Sequence, residues 1–133
     1  RQPRGLIEVD FGERPAAVRA FNYNETILEI PPGRNADFAG LYRDGSGLYA
    51  VVRNAEAICR IEYGESGLVE GEVWSYRHIA NDPALRYANR RFGTGEGLCM
   101  DEERVYLIID NNGDHREANP EDRRPLLLIM ERP

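Results

Sequence analysis

The chain contains two copies of one short hairpin pattern, and this internal repeat limits its possible folds more than any other feature. When Gly40-Leu41 is aligned with Gly97-Leu98, the two segments match without a gap at a constant offset of 57 residues (97 − 40). The other matches are Asp44 with Asp101, Leu48 with Val105, Tyr49 with Tyr106, Ala50-Val51-Val52 with Leu107-Ile108-Ile109, and Asn54 with Asn111. Recurrence at such a period is typical of repeat architectures, including propellers with blades of about 40–50 residues. We therefore predict two copies of one antiparallel hairpin.

The second copy also predicts its own strand pairing. Residues 98–100 are apolar, residues 101–103 form a polar turn, and residues 105–109 are apolar and rich in β-branched side chains, as strands are. If Met100 lies opposite Val105, the hairpin brings Glu96 beside Ile109 and Asp110.

The rest of the chain predicts an all-β fold. We expect further strands at residues 6–9, 26–30 and 72–79, and a short helix or ordered loop at 82–91. Residues 16–21 show no clear period. Because four antiparallel strands in a meander make one propeller blade, we predict antiparallel four-stranded blades of a partial β-propeller with two to three blades. The single unit divides into N-terminal strands (1–37), a first blade (38–80), a connector (81–94) and a second blade (95–133). The second blade lacks a fourth strand, so residues 6–9, residues 26–30 or another polypeptide would close it.

Composition excludes some classes of partner. The chain of 133 residues is 41% hydrophobic and 30% charged, with a net charge of −6. Net acidity without a basic cluster argues against nucleic acid, and no apolar run approaches the roughly 20 residues of a membrane helix. The chain begins with Arg1 rather than Met, so we expect that a leader or another domain was removed, and localisation stays open.

Two cysteines, Cys59 and Cys99, occupy apolar strand positions. Because small disulfide scaffolds use more cysteine than this, we predict packed free thiols.

A candidate cation site belongs to the second copy alone. Its oxygen-bearing residues are Glu96, Asp110, Asn111, Asn112 and Asp114, a set that suits a hard cation such as calcium. The first copy has Ala39 and Arg53 at the positions of Glu96 and Asp110, whereas a purely structural role would be expected in both copies. The alternative is that residues 111–114 only form a turn, which these residue types also favour.

Four cationic residues are further candidates for chemistry. Arg53 would meet an anionic substrate or Asp110, and a plain salt bridge is the alternative. His115, beside Asp114, is the candidate general base, because an exposed histidine exchanges protons near neutral pH; a solvated loop residue is the alternative. Arg90 and Arg91 would clamp a phosphate or carboxylate, or else form a solvated pair. We place His78 on a packed aromatic face.

The blade-like segments resemble a known family. They are Phe38-Ala-Gly-Leu-Tyr-Arg-Asp-Gly-Ser-Gly-Leu-Tyr-Ala-Val-Val-Arg-Asn54, Gly95-Glu-Gly-Leu98 with residues 106–112, and Arg124-Pro-Leu-Leu-Leu-Ile-Met-Glu-Arg-Pro133. They resemble the bacterial β-propeller family called "esterase-like activity of phytase", and the Glu-Gly opening is also similar to calcium-dependent propeller lactonases of the gluconolactonase type. The resemblance implies a propeller whose central channel carries the site, a divalent cation, and a periplasmic or secreted location. Closed propellers have about 4 to 8 blades, and two or three blades cannot close a ring alone. Either the short length reflects truncation or proteolytic processing, or several chains assemble to complete the ring.

Two functions follow as hypotheses. The first is a cation-dependent hydrolase of small anionic esters, phosphoesters or lactones, in which the metal polarises the substrate or activates water. The second is a noncatalytic propeller-type module that binds a partner or assembles with copies of itself, with a structural cation or ion-pair site. We therefore expect as partner either a homo-oligomer or the remainder of a longer propeller. An open cleft where the acids converge would favour the first, and a closed turn the second. A small β-sandwich would leave the repeat unexplained. Serine-nucleophile chemistry is disfavoured, because no Gly-x-Ser-x-Gly motif occurs.

Overall fold

The protein is built from three antiparallel β-sheets. The computed structural model describes residues 4–23, 25–64, 67–89 and 91–133. The first sheet pairs β1 with β2, the second has the order β3-β4-β5-β6, and the third has the order β7-β8-β9. The strands are β1 Arg4–Asp10, β2 Ala16–Tyr23, β3 Phe38–Asp44, β4 Gly47–Val52, β5 Ala57–Gly64, β6 Gly67–Ser75, β7 Gly95–Met100, β8 Arg104–Ile109 and β9 Leu126–Glu131. A short 3-10 helix spans Arg53–Ala55, and helix α1 spans Arg77–Ala80. The all-β prediction is therefore confirmed.

The internal repeat holds at the level of strand register. Gly40 pairs with Val51 in the second sheet, and Gly97 pairs with Ile108, 57 residues later, in the third. Met100 pairs with Val105, as predicted. Both hairpins break register at the same place, between Phe38 and Gly40 and between Gly95 and Gly97. Glu96 therefore lies in a bulge, and Gly95 takes the place opposite Ile109 that we predicted for Glu96.

The core lies on both faces of the second sheet. On one face, a cluster that includes Val51 and Ile58 packs with Leu107 and Ile109 of the third sheet. On the other face, a cluster that includes Val52 and Cys59 packs against the first sheet and residues 28–38, with contacts from Leu6, Phe21, Leu28, Ile30, Ala36 and Phe38. Because both faces of β4 are covered, residues 48–52 are apolar at every position rather than at alternate ones.

The second and third sheets approach most closely at their first strands. A Cβ atom added to Gly40 would lie 3.0 Å from the carbonyl oxygen of Glu96 and 3.2 Å from the backbone nitrogen of Leu98. The backbones of β3 and β7 thus meet where the repeat aligns Gly40 with Gly97. A side chain at position 40 would force the two sheets apart.

Arg132 joins the same two sheets at the opposite end. Its guanidinium lies 2.8 Å from Asp44 Oδ2, donates to Ser46 Oγ at 2.6 Å and lies 5.4 Å from the ring centroid of Tyr49. Hydrogen bonds from Ser46 and from Arg132 hold the pKa of Asp44 well below its usual range. The end of β9 is therefore fixed to the β3–β4 turn.

In the N-terminal region one strand was not predicted and one predicted strand is wrong. Residues 16–21 form most of β2, although they show no clear period. Residues 26–30 form no strand, because the Glu70 carboxylate accepts hydrogen bonds from Thr26 Oγ1 and the backbone nitrogen of Ile27. Since β1 pairs with β2, neither residues 6–9 nor residues 26–30 close the third sheet.

The predicted strand at 72–79 ends early. β6 stops at Ser75, the Tyr76 backbone nitrogen bonds to Glu56 O, and α1 begins at Arg77. His78 therefore lies exposed on α1 rather than on an aromatic strand face. Residues 82–89 form turns rather than a helix, and no helix of the described residues is long and apolar enough to cross a membrane.

Both cysteines are free thiols, as predicted. Cys59 is buried, but Cys99 is exposed rather than packed, because it lies on the uncovered face of the third sheet.

We expect Gly40→Ala to destabilise the protein by about 1–3 kcal/mol, because the new methyl group would meet backbone atoms that cannot move aside. Gly45→Ala is the matched control, since a Cβ at this turn residue meets nothing within 4 Å, and it should cost less than about 0.5 kcal/mol. Urea denaturation of both variants measures the difference. Equal free energies of unfolding would show that the sheets do not need this approach.

Candidate functional site

Arg53 lies at the centre of a charged cluster between the second and third sheets. It follows β4 directly, where the 3-10 helix begins, and its Nε donates to Asp37 Oδ2 at 2.7 Å. Its Nη1 donates to Glu96 Oε1 at 2.8 Å, which the bulge in β7 places within reach. Burial opposes the charged form, but Glu96 and Asp37 outweigh it and raise the pKa of Arg53. Arg53 therefore forms salt bridges, and its partners are Glu96 and Asp37 rather than Asp110.

Asn54 organises the backbone around this cluster. The side chain is buried, and its Nδ2 donates to Asn35 O at 2.9 Å and to Asp37 Oδ1 at 2.7 Å. Its Oδ1 accepts the backbone N–H of Gly93 at 3.0 Å. This amide therefore holds together three segments that are distant in sequence.

Asn111 has a comparable role in the second copy. Its Nδ2 donates to Asp114 O at 3.0 Å and to Arg123 O, and its Oδ1 accepts the Gly113 N–H at 3.2 Å. Asn112 and Gly113 have φ angles of 50° and 77°, in the left-handed region that asparagine and glycine tolerate best. Residues 111–114 thus form a closed turn.

Asp114 is held within this turn and against the neighbouring loop. Its Oδ2 accepts the backbone N–H of Asn89 in a very short hydrogen bond, and its Oδ1 lies 3.2 Å from His115 Nδ1. The bond from Asn89 is the main reason that the pKa of Asp114 lies below its usual range. The predicted neighbours Asp114 and His115 are therefore in contact.

Two clefts border these groups. The smaller, of about 230 Å³, is lined by Arg53, Asn89, Phe92, Asn112 and Asp114. The larger, of about 920 Å³, opens between α1 and the third sheet, and its apolar lining includes Ile79, Leu85, Phe92, Ile109, Leu126 and Leu128. Four of the five residues that line the smaller cleft have polar side chains, and the lining of the larger cleft is mainly apolar.

The acidic members of the predicted cation site make separate contacts. Glu96 contacts Arg53, Asp114 contacts Asn89 and His115, and Asp110 donates its backbone N–H to Thr94 O. Among the residues that the structure describes, no group of three or more His, Cys, Asp or Glu side chains is arranged to hold a metal ion. Calcium binding stays a prediction.

The other predicted residues are dispersed. Arg91 lies 5.2 Å from the Phe92 ring centroid and does not line the smaller cleft, and Arg90 lies outside the described residues. Sequence reasoning missed Asp37 and Asn54 as members of the charged cluster. The alignment of Asn54 with Asn111 was the signal for the second of these.

The chain has no significant match to a protein-family model, a curated protein or a solved structure. The resemblance to propeller families therefore stays a prediction.

We expect Arg53→Met to destabilise the protein by about 1–2 kcal/mol, because two carboxylates would lose charged hydrogen bonds at a site only one-third exposed. Arg43→Met is the control, since Arg43 is exposed and makes no ion pair in the described structure; its cost should stay below about 0.5 kcal/mol. Denaturant titrations of Arg53→Met, Glu96→Gln and the double variant give their coupling free energy. A coupling of zero would show that the salt bridge contributes nothing to stability.

Proposed function

We propose that the protein is a noncatalytic propeller-type module that assembles with copies of itself, stacking sheet on sheet. The observation that supports this most strongly is an apolar, exposed face at each end of its stack of three sheets. Within the chain, the first sheet packs on the second and the second packs on the third. Assembly would continue the same packing from one copy to the next.

One end is the outer face of the third sheet. Ile108, Leu127 and Ile129 lie on it with relative exposures of 50%, 56% and 56%. The strand register places Ile108 opposite Leu127, and Ile129 opposite the half-buried Tyr106. A group of neighbouring apolar side chains on one face is typical of an interaction surface.

The other end is the outer face of the first sheet. Leu6 and Phe21 point inward to the core. Because successive side chains of a strand point to opposite faces, Ile7 and its partner Ala20 point outward. Ile7 is 67% exposed and Val18 is 53% exposed. Because the two ends differ, a contact between them is head-to-tail, and repetition gives a ring or an open filament.

The charged cluster supports this function better than catalysis. The Glu96 and Asp37 carboxylates both bond to Arg53, and the 111–114 segment is a closed turn. The acids thus serve contacts within the chain instead of converging on an open cleft. This is the structural ion-pair arrangement expected of a binding or assembly module.

Substitutions on the two end faces test the proposal. Ile108→Arg and Ile7→Arg each place a charge on one face and should each reduce the wild-type oligomer to a monomer of 15.1 kDa, measured by light scattering over a concentration series. An equimolar mixture of the two variants should form a dimer, because each retains the face that the other has lost.

Val73→Arg is the control for added charge, since Val73 is an exposed apolar residue on β6 of the second sheet, away from both ends. It should leave the mass unchanged. A wild-type protein that stays monomeric at every concentration contradicts the proposal. Failure of the mixture to dimerise would exclude the head-to-tail arrangement.

The contact between Asp114 and His115 favours a second candidate, the cation-dependent hydrolase. A carboxylate beside an imidazole nitrogen orients the ring for proton transfer, and Asp114 also lines the smaller cleft with Arg53. In this function Arg53 would orient an anionic ester, phosphoester or lactone, and calcium would polarise it.

Hydrolysis of p-nitrophenyl acetate and p-nitrophenyl phosphate, each with calcium and with chelator, tests this candidate. His115→Gln should lower kcat/KM by about 100-fold or more, because the general base is removed. His78→Gln is the matched control, as the only other histidine, and should retain full activity. Equal activity of the two variants would exclude His115 as the base.

A further inference from the structure

We propose that the outer edge of β9 binds one extended strand of a partner protein, which completes the third sheet. The strand would run antiparallel to β9, carry apolar side chains at alternate positions, and occupy the place that β6 has in the second sheet. This edge is a different surface from the two end faces, so the inference does not depend on self-assembly.

The edge of β9 is protected neither by a bulge nor by a charge in the interior of the strand. Its pairing with β8 is regular from Leu126 to Glu131, without a bulge. Five of its six residues are apolar, and its one charge is at the end. In the described residues no strand pairs with its other side. An unpaired, regular, apolar edge of this kind readily accepts another strand.

The second sheet protects its corresponding edges. β3 lies against the backbone of β7 at Gly40. β6 carries Glu70, whose carboxylate bonds to Thr26 and Ile27, and the β5–β6 pairing is interrupted between Cys59 and Ile61. In contrast, β9 is left as an edge strand because the third sheet has three strands, whereas the second has four.

The repeat indicates what kind of strand fits this edge. In the second sheet β6 pairs with β5 in antiparallel register, from Ala57 opposite Ser75 to Gly64 opposite Gly67. Its Trp74 packs into the core between the second and third sheets. A strand beside β9 would continue the third sheet and extend this established interface. The sequence of β6, Gly-Leu-Val-Glu-Gly-Glu-Val-Trp-Ser, therefore provides a model of the partner strand.

The larger cleft supplies space for the inward side chains of such a strand. Leu126 and Leu128 line the cleft from β9, and Ile79 and Leu85 line it from α1 and the following turn. Alternate residues of the added strand would enter this apolar space, while those between them would lie beside Leu127 and Ile129. Main-chain hydrogen bonds would provide affinity and the cleft would provide selectivity, as in other cases of strand addition.

A fluorescein-labelled synthetic peptide with the β6 sequence is the probe. Fluorescence anisotropy should show saturable one-to-one binding to the wild-type protein. The same peptide with proline at both of the adjacent positions that correspond to Leu68 and Val69, which are paired in the β5–β6 ladder, should bind at least tenfold more weakly. Successive amides of a strand point to opposite edges, so one of the two prolines removes a ladder donor. Hydrogen exchange should show new protection at alternate amides of residues 126–131, those directed away from β8.

Protein variants separate this edge from the end faces. Ile108→Arg lies on β8 and should bind the peptide like the wild type, even where it abolishes self-assembly. Of Leu128→Pro and Ile129→Pro, one removes an amide directed toward β8 and the other an amide at the free edge. The variant that loses the free-edge amide should keep the circular dichroism spectrum of the wild type and lose peptide binding. Absence of binding, equal binding of the proline peptide, or protection outside β9 would each overturn the proposal.

Discussion

The close approach of β3 and β7 is the constraint on which the rest of the structure depends. Glycine at position 40 lets two strand backbones meet without pairing, with only 3.0 Å available to a Cβ atom. This contact sets the second and third sheets face to face, so that Val51 and Leu107 share one core. It also brings the bulge at Glu96 within reach of Arg53. The packing of the core and the position of the charged cluster therefore have the same geometric cause.

Arginines fix the two sheets at both ends of this contact. Arg53 joins the end of β4 to Glu96 on β7, and Arg132 joins the end of β9 to Asp44 and Ser46 in the β3–β4 turn. A planar guanidinium with several donors can satisfy two or three acceptors at once, which a lysine ammonium does with less directional precision. The carboxylates are consequently used to maintain the arrangement of the sheets.

Local patterns predicted the hairpins well, and distant contacts explain where prediction failed. The pairing of Met100 with Val105 follows from a three-residue turn, so it was readable from the sequence. The apolar pattern at 26–30 failed because Glu70, more than 40 residues away, takes the backbone donor that a strand would need. In the candidate site, the contact of Asp114 with His115 is between neighbours in sequence. The contact of Arg53 with Glu96 required the approach of two sheets, which no local pattern encodes. Asp37 was missed although it lies beside Arg53 in the β3–β4 hairpin, where Phe38 pairs with Val52.

The two repeated sheets differ in the connection between their second and third strands. β4 passes through one short 3-10 helix into β5, whereas residues 110–125 separate β8 from β9. The buried Arg116 organises this insertion, lying 4.0 Å from the Tyr87 ring centroid and donating to Leu85 O and Arg124 O. Its guanidinium is satisfied by carbonyl oxygens, so it fixes the start of β9 to the connector. Because this contact holds the residues just before Leu126 in place, it would preorganise β9 for the addition of a strand along its free edge.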